Sequence, residues 1–272
     1  MRTVAILTDF GTRDNYVGLI KGVILSITKN VNIVDITHEV SPASIEEGAF
    51  LLWKSYRYFP EGTVFLVVVD PGVGSKRRGI CIKTKRYFFV GPDNGVLSIA
   101  AGEDGIRGIY SLEERRFFLK NISSTFHGRD IFAPVAAHIS SGVEVYYLGP
   151  KITHLKKISL PSPSIRGNTL EGEVIYIDRF GNLVTNISPS LFESFLEGRK
   201  FQARIGKRTF VTLCRYYEQG GKTRPFFITG SFSFMEVSLR QGSASRYFKA
   251  RRGSKVFVKR LTSNEYGRER KR

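Results

Sequence analysis

Apolar residues in the first half of the chain alternate between two spacings. Residues 3–7 form a short apolar and β-branched run. Across 16–28, by contrast, Val17, Ile20, Val23, Ile24 and Ile27 recur at helical intervals, so a strand is followed by an amphipathic helix. Residues 33–36 read as the next strand. Ser44 ahead of Glu46 and Glu47 marks a helix start, and the apolar pattern over 49–58 continues that helix until Pro60 ends it. The unbroken apolar run 64–69 predicts a strand covered on both faces. Two further strands, 80–83 and 87–90, are expected to pair around Thr84-Lys85-Arg86, and Asp130 is placed as the N-cap of a helix through Ile139. Strand and helix alternating in this way predict an α/β domain with a mainly parallel central sheet.

After Pro150 the pattern changes. Pro161 and Pro163 interrupt a stretch without sustained period, so residues 151–168 are read as a linker. Short strand-like runs then follow one another at 173–177, 183–186, 200–205, 209–214, 226–229, 234–239 and 255–259, with turn residues between them. They predict a small antiparallel β-barrel. The expected division is therefore an α/β domain over 1–150, the linker, a β-barrel domain over 169–262 and a basic tail over 263–272.

Composition adds limits rather than detail. A hydrophobic fraction of 42% with 24% charged residues is that of a soluble globular protein. No apolar stretch approaches the ~20 residues of a membrane span, and Asp9 arrives too early for a secretory leader. A cytoplasmic protein is expected. Cys81 and Cys214 each sit in an apolar run, which predicts core residues rather than a disulfide framework. The net charge of +18 raises the question of nucleic acid, but no recognition motif accompanies it. The basic residues cluster near turns and in the tail, where solvated charge is the ordinary outcome. Nucleic acid and membrane are not expected partners.

Chemistry concentrates at the ends of predicted strands, where open α/β sheets bind ligands. Asp70-Pro71-Gly72-Val73-Gly74 with Arg77 follows the 64–69 strand, and Phe126-His127-Gly128-Arg129-Asp130 lies further on. Asp70 and Arg77 fit either a ligand-handling turn or a structural ion pair. His127 fits either a functional or a structural imidazole, whereas His38, His138 and His154 lack comparable surroundings. Asp9, in Thr8-Asp9-Phe10-Gly11, has the chemistry to accept both hydrogens of a ribose diol and equally to cap the helix near Tyr16. Asp178-Arg179-Phe180-Gly181-Asn182 supplies a charge, a stacking face and an amide in one turn, and is also a plain Asx-turn pattern. There is no GxGxxG after the first strand, no GxxxxGK[ST], and no histidine or cysteine pair at metal-ligand spacing.

Taken together, Thr8-Asp9-Phe10-Gly11, Asp35-Ile36-Thr37-His38, Asp70 to Gly74 with Arg77, Gly91-Pro92-Asp93-Asn94-Gly95, Phe126 to Asp130 and Asp178 to Asn186 resemble, in order, the S-adenosylmethionine hydroxide adenosyltransferases. That family is related to the fluorinase and chlorinase enzymes. The resemblance extends to about Lys259. It implies an α/β domain joined to a C-terminal β-barrel, a homotrimer with substrate bound between subunits, and hydrolysis of S-adenosylmethionine to adenosine and L-methionine by attack of water or hydroxide at C5′ of the ribose. S-adenosylmethionine is then the substrate, and neither cofactor nor metal is implied.

On the same resemblance Asp70, Arg77 and His127 hold and activate the water. Asp9 matches the ribose-diol carboxylate, Asp178 the partner of the methionine ammonium, and Asn182 an adenine-reading amide with Phe180 as an apolar wall. Ser231 and Glu236 match the segment near the methionine carboxylate, where Phe232 and Phe234 depart from the family pattern, and Tyr217 matches an adenine-stacking position. Which of the triad acts as base is left open. The alternatives are a halogenase, disfavoured because a carboxylate at position 70 repels halide, and an S-adenosylmethionine or adenosine binding protein with vestigial activity.

Overall fold

The computed structural model describes residues 2–261, so the predicted basic tail over 263–272 lies outside the described residues. The chain divides into two compact units between Ser159 and Leu160.

In the first unit, β1 (Arg2–Thr8), α1 (Tyr16–Ile27), β2 (Val31–Thr37), α2 (Ile45–Ser55) and β3 (Val64–Val68) follow the predicted alternation. They continue into β4 (Gly79–Thr84), β5 (Phe88–Pro92), α3 (Ser98–Asp104), β6 (Ile106–Ser111), α4 (Ala133–Ser140) and β7 (Lys151–Ile152). Seven strands line up as β2-β1-β3-β5-β4-β6-β7 among the described residues. The first four are mutually parallel. β4, β6 and β7 add antiparallel, so the sheet is mixed where a mainly parallel one was expected. The reason lies between β3 and β4: the connection holds no helix to carry the chain back, so β4 returns directly in the opposite sense.

That return matters for chemistry. Gly79 at the start of β4 pairs with Pro92 at the end of β5, and β5 runs parallel to β3. Residues 69–78 therefore stay at the carboxyl edge of the parallel strands. The sheet has an apolar layer on each face. α1 and α4 pack with Val4, Ile6, Leu66 and Val68 on one side, while α2 and α3 cover Ala5, Leu7, Phe65 and Val67 on the other. Alternate residues of the same strand thus enter different cores, as a two-fold pleat requires.

Two further expectations change. Asp130 does not cap a helix: the chain is already helical from Gly128, as one π-turn (Gly128–Phe132) that runs into α4. Its fully buried carboxylate instead accepts from the backbone N–H of Ser123 at 2.8 Å and pairs with Arg129. The segment read as a linker is shared out. β7 pairs with β6, and Lys156 N–H donates to Asp93 Oδ1 at 2.8 Å within the first unit, whereas β8 (Ser164–Arg166) belongs to the second.

The second unit continues with β9 (Thr169–Ile177), β10 (Leu183–Thr185), α5 (Pro189–Leu196), β11 (Phe201–Ile205), β12 (Arg208–Phe210), β13 (Thr212–Leu213), β14 (Phe226–Thr229), β15 (Met235–Ser238), α6 (Ala244–Phe248) and β16 (Lys255–Arg260). Strand order is β12-β11-β16-β9-β10-β15-β14-β13, with β8 pairing β9. Besides β8, β9 divides its length between two partners: residues 169–173 pair with β16, and Val174, Tyr176 and Ile177 pair with β10. The two edge strands, β12 and β13, are separated by Val211 alone, so the sheet is barrel-like and nearly closed. Phe192, Phe201, Phe210 and Phe227 fill it with edge and tilted ring contacts.

No helix among the described residues is long and apolar enough to cross a membrane. Cys81 and Cys214 are both buried and free.

Candidate active site

β3 delivers the chain to the sheet edge, and Asp70 follows its end in a tight turn where Val73 N–H donates to Asp70 C=O at 3.2 Å. The loop is held against the segment before His127. Gly74 has φ +75°, and a Cβ there would lie 2.3 Å from Ser124 C=O, so only glycine permits the approach. Arg77 then folds back over the turn. Its Nε donates to Asp70 Oδ1 at 2.8 Å and its Nη2 to Oδ2, a bidentate pair. The second Nη2 hydrogen reaches His127 Nδ1 at 2.9 Å. The guanidinium lies 5.2 Å from the centre of the Phe132 ring, and the Asp70 and Arg77 side chains are only 5% and 11% exposed.

This geometry fixes the protonation of His127. A guanidinium has hydrogens to give and no lone pair to accept, so Nδ1 must be the acceptor. The neutral ring consequently carries its proton on Nε2. Burial, then the positive charge of Arg77, hold the His127 pKa below its usual 6.5, so the neutral form persists. Burial alone lowers His138 in the same way.

Below pH 6.5 the unfolded chain takes up protons that both folded imidazoles refuse, so their contribution is present above 6.5 and lost as pH falls through the depressed values. Urea midpoints measured downward from 6.5 should fall more steeply for the wild type than for a His127→Asn/His138→Gln variant. Parallel curves would show that these groups do not titrate as described.

Asp9 comes to the same place from β1. With Phe10, Tyr16, Asp70, Phe126 and His127 it lines a cavity of about 340 Å³. Its Oδ2 accepts from Ala43 N–H at 2.8 Å, and α1 begins after Asn15, so Asp9 does not cap that helix. Burial raises the Asp9 pKa, the Ala43 hydrogen bond opposes the rise, and the nearby charge of Asp70 adds to it. Phe10, Tyr16 and Phe126 meet pairwise at 5.2–5.8 Å between ring centres and form the apolar wall.

The Gly91-Pro92-Asp93-Asn94-Gly95 motif braces this loop from below. Asn94 Nδ2 donates to Val69 C=O at 2.7 Å, and Asn94 Oδ1 accepts from Val96 N–H at 3.1 Å. Asp93 pairs with Arg78 at 2.6 Å. Replacing Asn94 by Ala strands the Val69 carbonyl beside Asp70, which should cost about 1–3 kcal/mol of stability and lower turnover. Chemical denaturation and steady-state kinetics check both; unchanged values would remove Asn94 from the support of Asp70.

The second unit carries its own cavity, of about 910 Å³. Asp178, Phe180, Asn182, Tyr217, Ser231 and Glu236 all line it, so six residues singled out in the sequence share one wall. Asp178 Oδ1 accepts from the backbone N–H groups of Phe180 and Asn182 at 2.9 and 2.8 Å, the Asx turn the sequence allowed. Its Oδ2 accepts from Asn182 Nδ2 at 2.8 Å. Two of its about four acceptor sites are thus filled on Oδ1 and one on Oδ2, so Oδ2 keeps the lone pair that can meet a ligand. Phe180 is 77% exposed, an open stacking face. Glu236 is 4% exposed and accepts from Tyr217 Oη and Ser238 Oγ, each at 2.7 Å. Burial first, and then the Glu236 hydrogen bond, push the Tyr217 phenol far up, so it remains a donor.

Arg179, Arg240 and Arg246 also line this cavity. No sequence signal separates them from the other arginines of a basic chain. His38, whose sequence surroundings gave it no role, is 4% exposed, with its Nδ1 2.9 Å from Thr8 Oγ1, next to Asp9. Thr8 is thirty positions earlier, which local reading does not reach. Among the described residues no group of three His, Cys, Asp or Glu side chains is arranged to hold a metal ion.

Comparison with known proteins follows the same division. Residues 4–149 match the family described as the SAM hydroxide adenosyltransferase N-terminal domain, and residues 172–257 match the corresponding C-terminal domain. An (R)-S-adenosyl-L-methionine hydrolase of Methanocaldococcus jannaschii is 42% identical over 255 residues, 89% of this chain and 90% of that protein. One from Thermus thermophilus is 35% identical over 263 residues, covering 94% and 99%. A fluorinase of Actinoplanes sp. is 30% identical over 229 residues, 74% of this chain and 77% of its own. An uncharacterized conserved protein from Thermotoga maritima superimposes with a TM-score of 0.89 at 37% identity, over 94% of this chain and 100% of that one.

Proposed function

The chain belongs to the SAM hydroxide adenosyltransferase family, and on that premise we propose that it hydrolyses S-adenosyl-L-methionine to adenosine and L-methionine at the cavity lined by Asp9, Asp70 and His127, the last two bonded to Arg77. The observation that carries this reading is the Asp70–Arg77–His127 cluster. It presents a carboxylate and an imidazole N–H side by side, held by one guanidinium in a largely apolar cavity.

The residues divide the work as their hydrogen bonds allow. His127, with Nδ1 occupied by Arg77, has only an Nε2 proton to offer, so it donates to the water oxygen and orients it. Asp70 keeps a free lone pair on each oxygen and takes the water proton, which makes it the base. The water oxygen forms a bond to C5′ as the C5′–S bond breaks, and the electron pair leaves with sulfur. Sulfur departs as a neutral thioether, so the leaving side needs no acid. The proton on Asp70 returns to solvent. Asp9 accepts from the ribose diol and sets C5′ in line with the water, where placement within a fraction of an ångström governs rate.

The cavity of the second unit supplies the remaining recognition: Asp178 for the methionine ammonium, Asn182 and Phe180 for adenine with Tyr217 beside them, and Ser231 with Glu236 at the methionine end. Glu236, already bound to Tyr217 and Ser238, acts by holding Tyr217 in place. A homotrimer, with each site shared by neighbouring copies, fits the exposed face of α1, and the location proposed with it is the cytoplasm. On that face Leu19 and Leu25 flank Gly18 and Gly22, where an added Cβ would meet nothing within 4 Å. Sedimentation at equilibrium tests the trimer.

The activity is tested by incubating the protein with S-adenosylmethionine in ¹⁸O-water. Label in the 5′-hydroxyl of adenosine, with methionine released in equal amount, is the expected result. Chloride-dependent 5′-chloroadenosine would establish the halogenase instead, and tight binding without product a binding protein.

A further inference from the structure

The Asp35-Ile36-Thr37-His38 motif has no part in the chemistry above, yet it ends in one of the most enclosed polar side chains of the first unit. His38 grips the segment that carries Asp9 at two points. Its Nδ1 lies 2.9 Å from Thr8 Oγ1, and its backbone C=O accepts from Gly11 N–H at 2.7 Å. Between these points Phe10 N–H donates to Thr8 Oγ1 at 3.3 Å. The chain on either side of Asp9 is therefore tied to His38, while the carboxylate itself accepts from Ala43 N–H.

Lys21 Nζ donates to Asp35 Oδ2 at 2.6 Å, and Asp35 Oδ1 lies 3.1 Å from His38 Nε2. The last contact is off the line of a good hydrogen bond, but a carboxylate at that distance still favours a proton on Nε2. Nδ1 is then the acceptor, Thr8 Oγ1–H donates to it, and the Thr8 oxygen is left with its lone pairs facing Phe10 N–H. Each group has one direction available, so the Thr8 rotamer and the turn after it are specified by His38.

We propose that His38 is a positioning residue for the reaction: through Thr8 and Gly11 it fixes the carboxylate of Asp9 for the ribose diol. The inference rests on the reading of Asp9 given above, and it adds a specificity determinant outside the cavity wall. Its consequence is discrimination for the hydroxylated sugar. A displaced Asp9 loses the diol contact while the adenine contacts and the water cluster are untouched.

The test compares the dissociation constants of adenosine and 2′-deoxyadenosine, together with kcat and KM for S-adenosylmethionine, in the full-length protein. Asp9→Asn defines the effect of losing the diol contact: a smaller adenosine to deoxyadenosine ratio and a raised KM. His38→Ala should shift both in the same direction, by about tenfold or more in KM, since ångström-scale misplacement costs up to about 10²-fold. His38→Asn, whose amide oxygen replaces Nδ1 as acceptor, should restore the ratio; His38→Gln should not.

Thr8→Val, which keeps the shape and removes the hydroxyl, supplies the same reading if the His38→Ala protein does not fold. A ratio unchanged in His38→Ala or Thr8→Val but lost in Asp9→Asn overturns the proposal. Rescue by His38→Gln rather than His38→Asn also overturns it. A ratio unchanged in Asp9→Asn itself removes the role given to Asp9 and leaves the rest of the site standing.

Discussion

Asp70→Asn lowers kcat on S-adenosylmethionine by about 10²–10⁴-fold, with a much smaller change in KM. The amide has nearly the shape of the carboxylate, so the turn after β3 survives. What it lacks is proton affinity, and one of its two ends now presents hydrogens to a guanidinium that also presents hydrogens. The water loses its acceptor and the Arg77 fork loses half its match. Adenosine formation followed by chromatography gives the number. A kcat within about threefold of wild type would show that the proton leaves by another route, since base catalysis is worth far more than that.

Arg77→Met has its largest effect on folding. The Asp70 side chain is 5% exposed, and without its partner it is a buried charge with no compensation, which costs about 3–5 kcal/mol. The loss should appear as a lowered urea midpoint for the first unit. Adding Asp70→Asn removes the stranded charge, so the Asp70→Asn/Arg77→Met protein should recover a large part of the midpoint while remaining inactive. Equal destabilisation in the single and double variants would mean that the pair contributes through packing on Phe132 rather than through charge. Activity and stability thus separate within one pair of residues.

The elements that pack by local pattern were legible in the sequence, and those defined by distant partners were not. β1, β3 and the β4–β5 hairpin around Thr84-Lys85-Arg86 lie within a residue or two of their expected bounds, because burial on both faces or tight pairing writes itself into consecutive residues. The direction of β4 was also present in the chain, as a connection over 69–78 with no helix, and strand–helix alternation elsewhere obscured it. Pro189 behind Ser188 is an ordinary helix start, and α5 follows it, within a stretch otherwise read as strands.

The candidate site follows the same rule. Glycine, proline and aromatic neighbours set Asp70, Arg77 and His127 apart, and the family resemblance joined them as one cluster. Their mutual bonds could not be read, since 50 positions separate Arg77 from His127. The bond from Tyr217 to Glu236 spans 19 positions and Thr8 to His38 spans 30; no periodicity reports contacts of that kind. Asp130 shows the converse error. Its position before an apolar run imitates a cap, and only the arrival of Ser123 N–H shows where the carboxylate is used.

The antiparallel return of β4 carries one more implication. In a wholly parallel sheet the chain leaves a strand through a crossover, and residues that meet at one edge come from segments far apart. Here the carboxylate and the guanidinium that clamps it belong to one short loop anchored at its ends to β3 and β4, the strands on either side of β5. That loop is a cassette. Exchanging residues 69–78 as a block would replace the carboxylate and the guanidinium beside His127 while every strand kept its neighbour, so that part of the chemistry can diversify within a single segment.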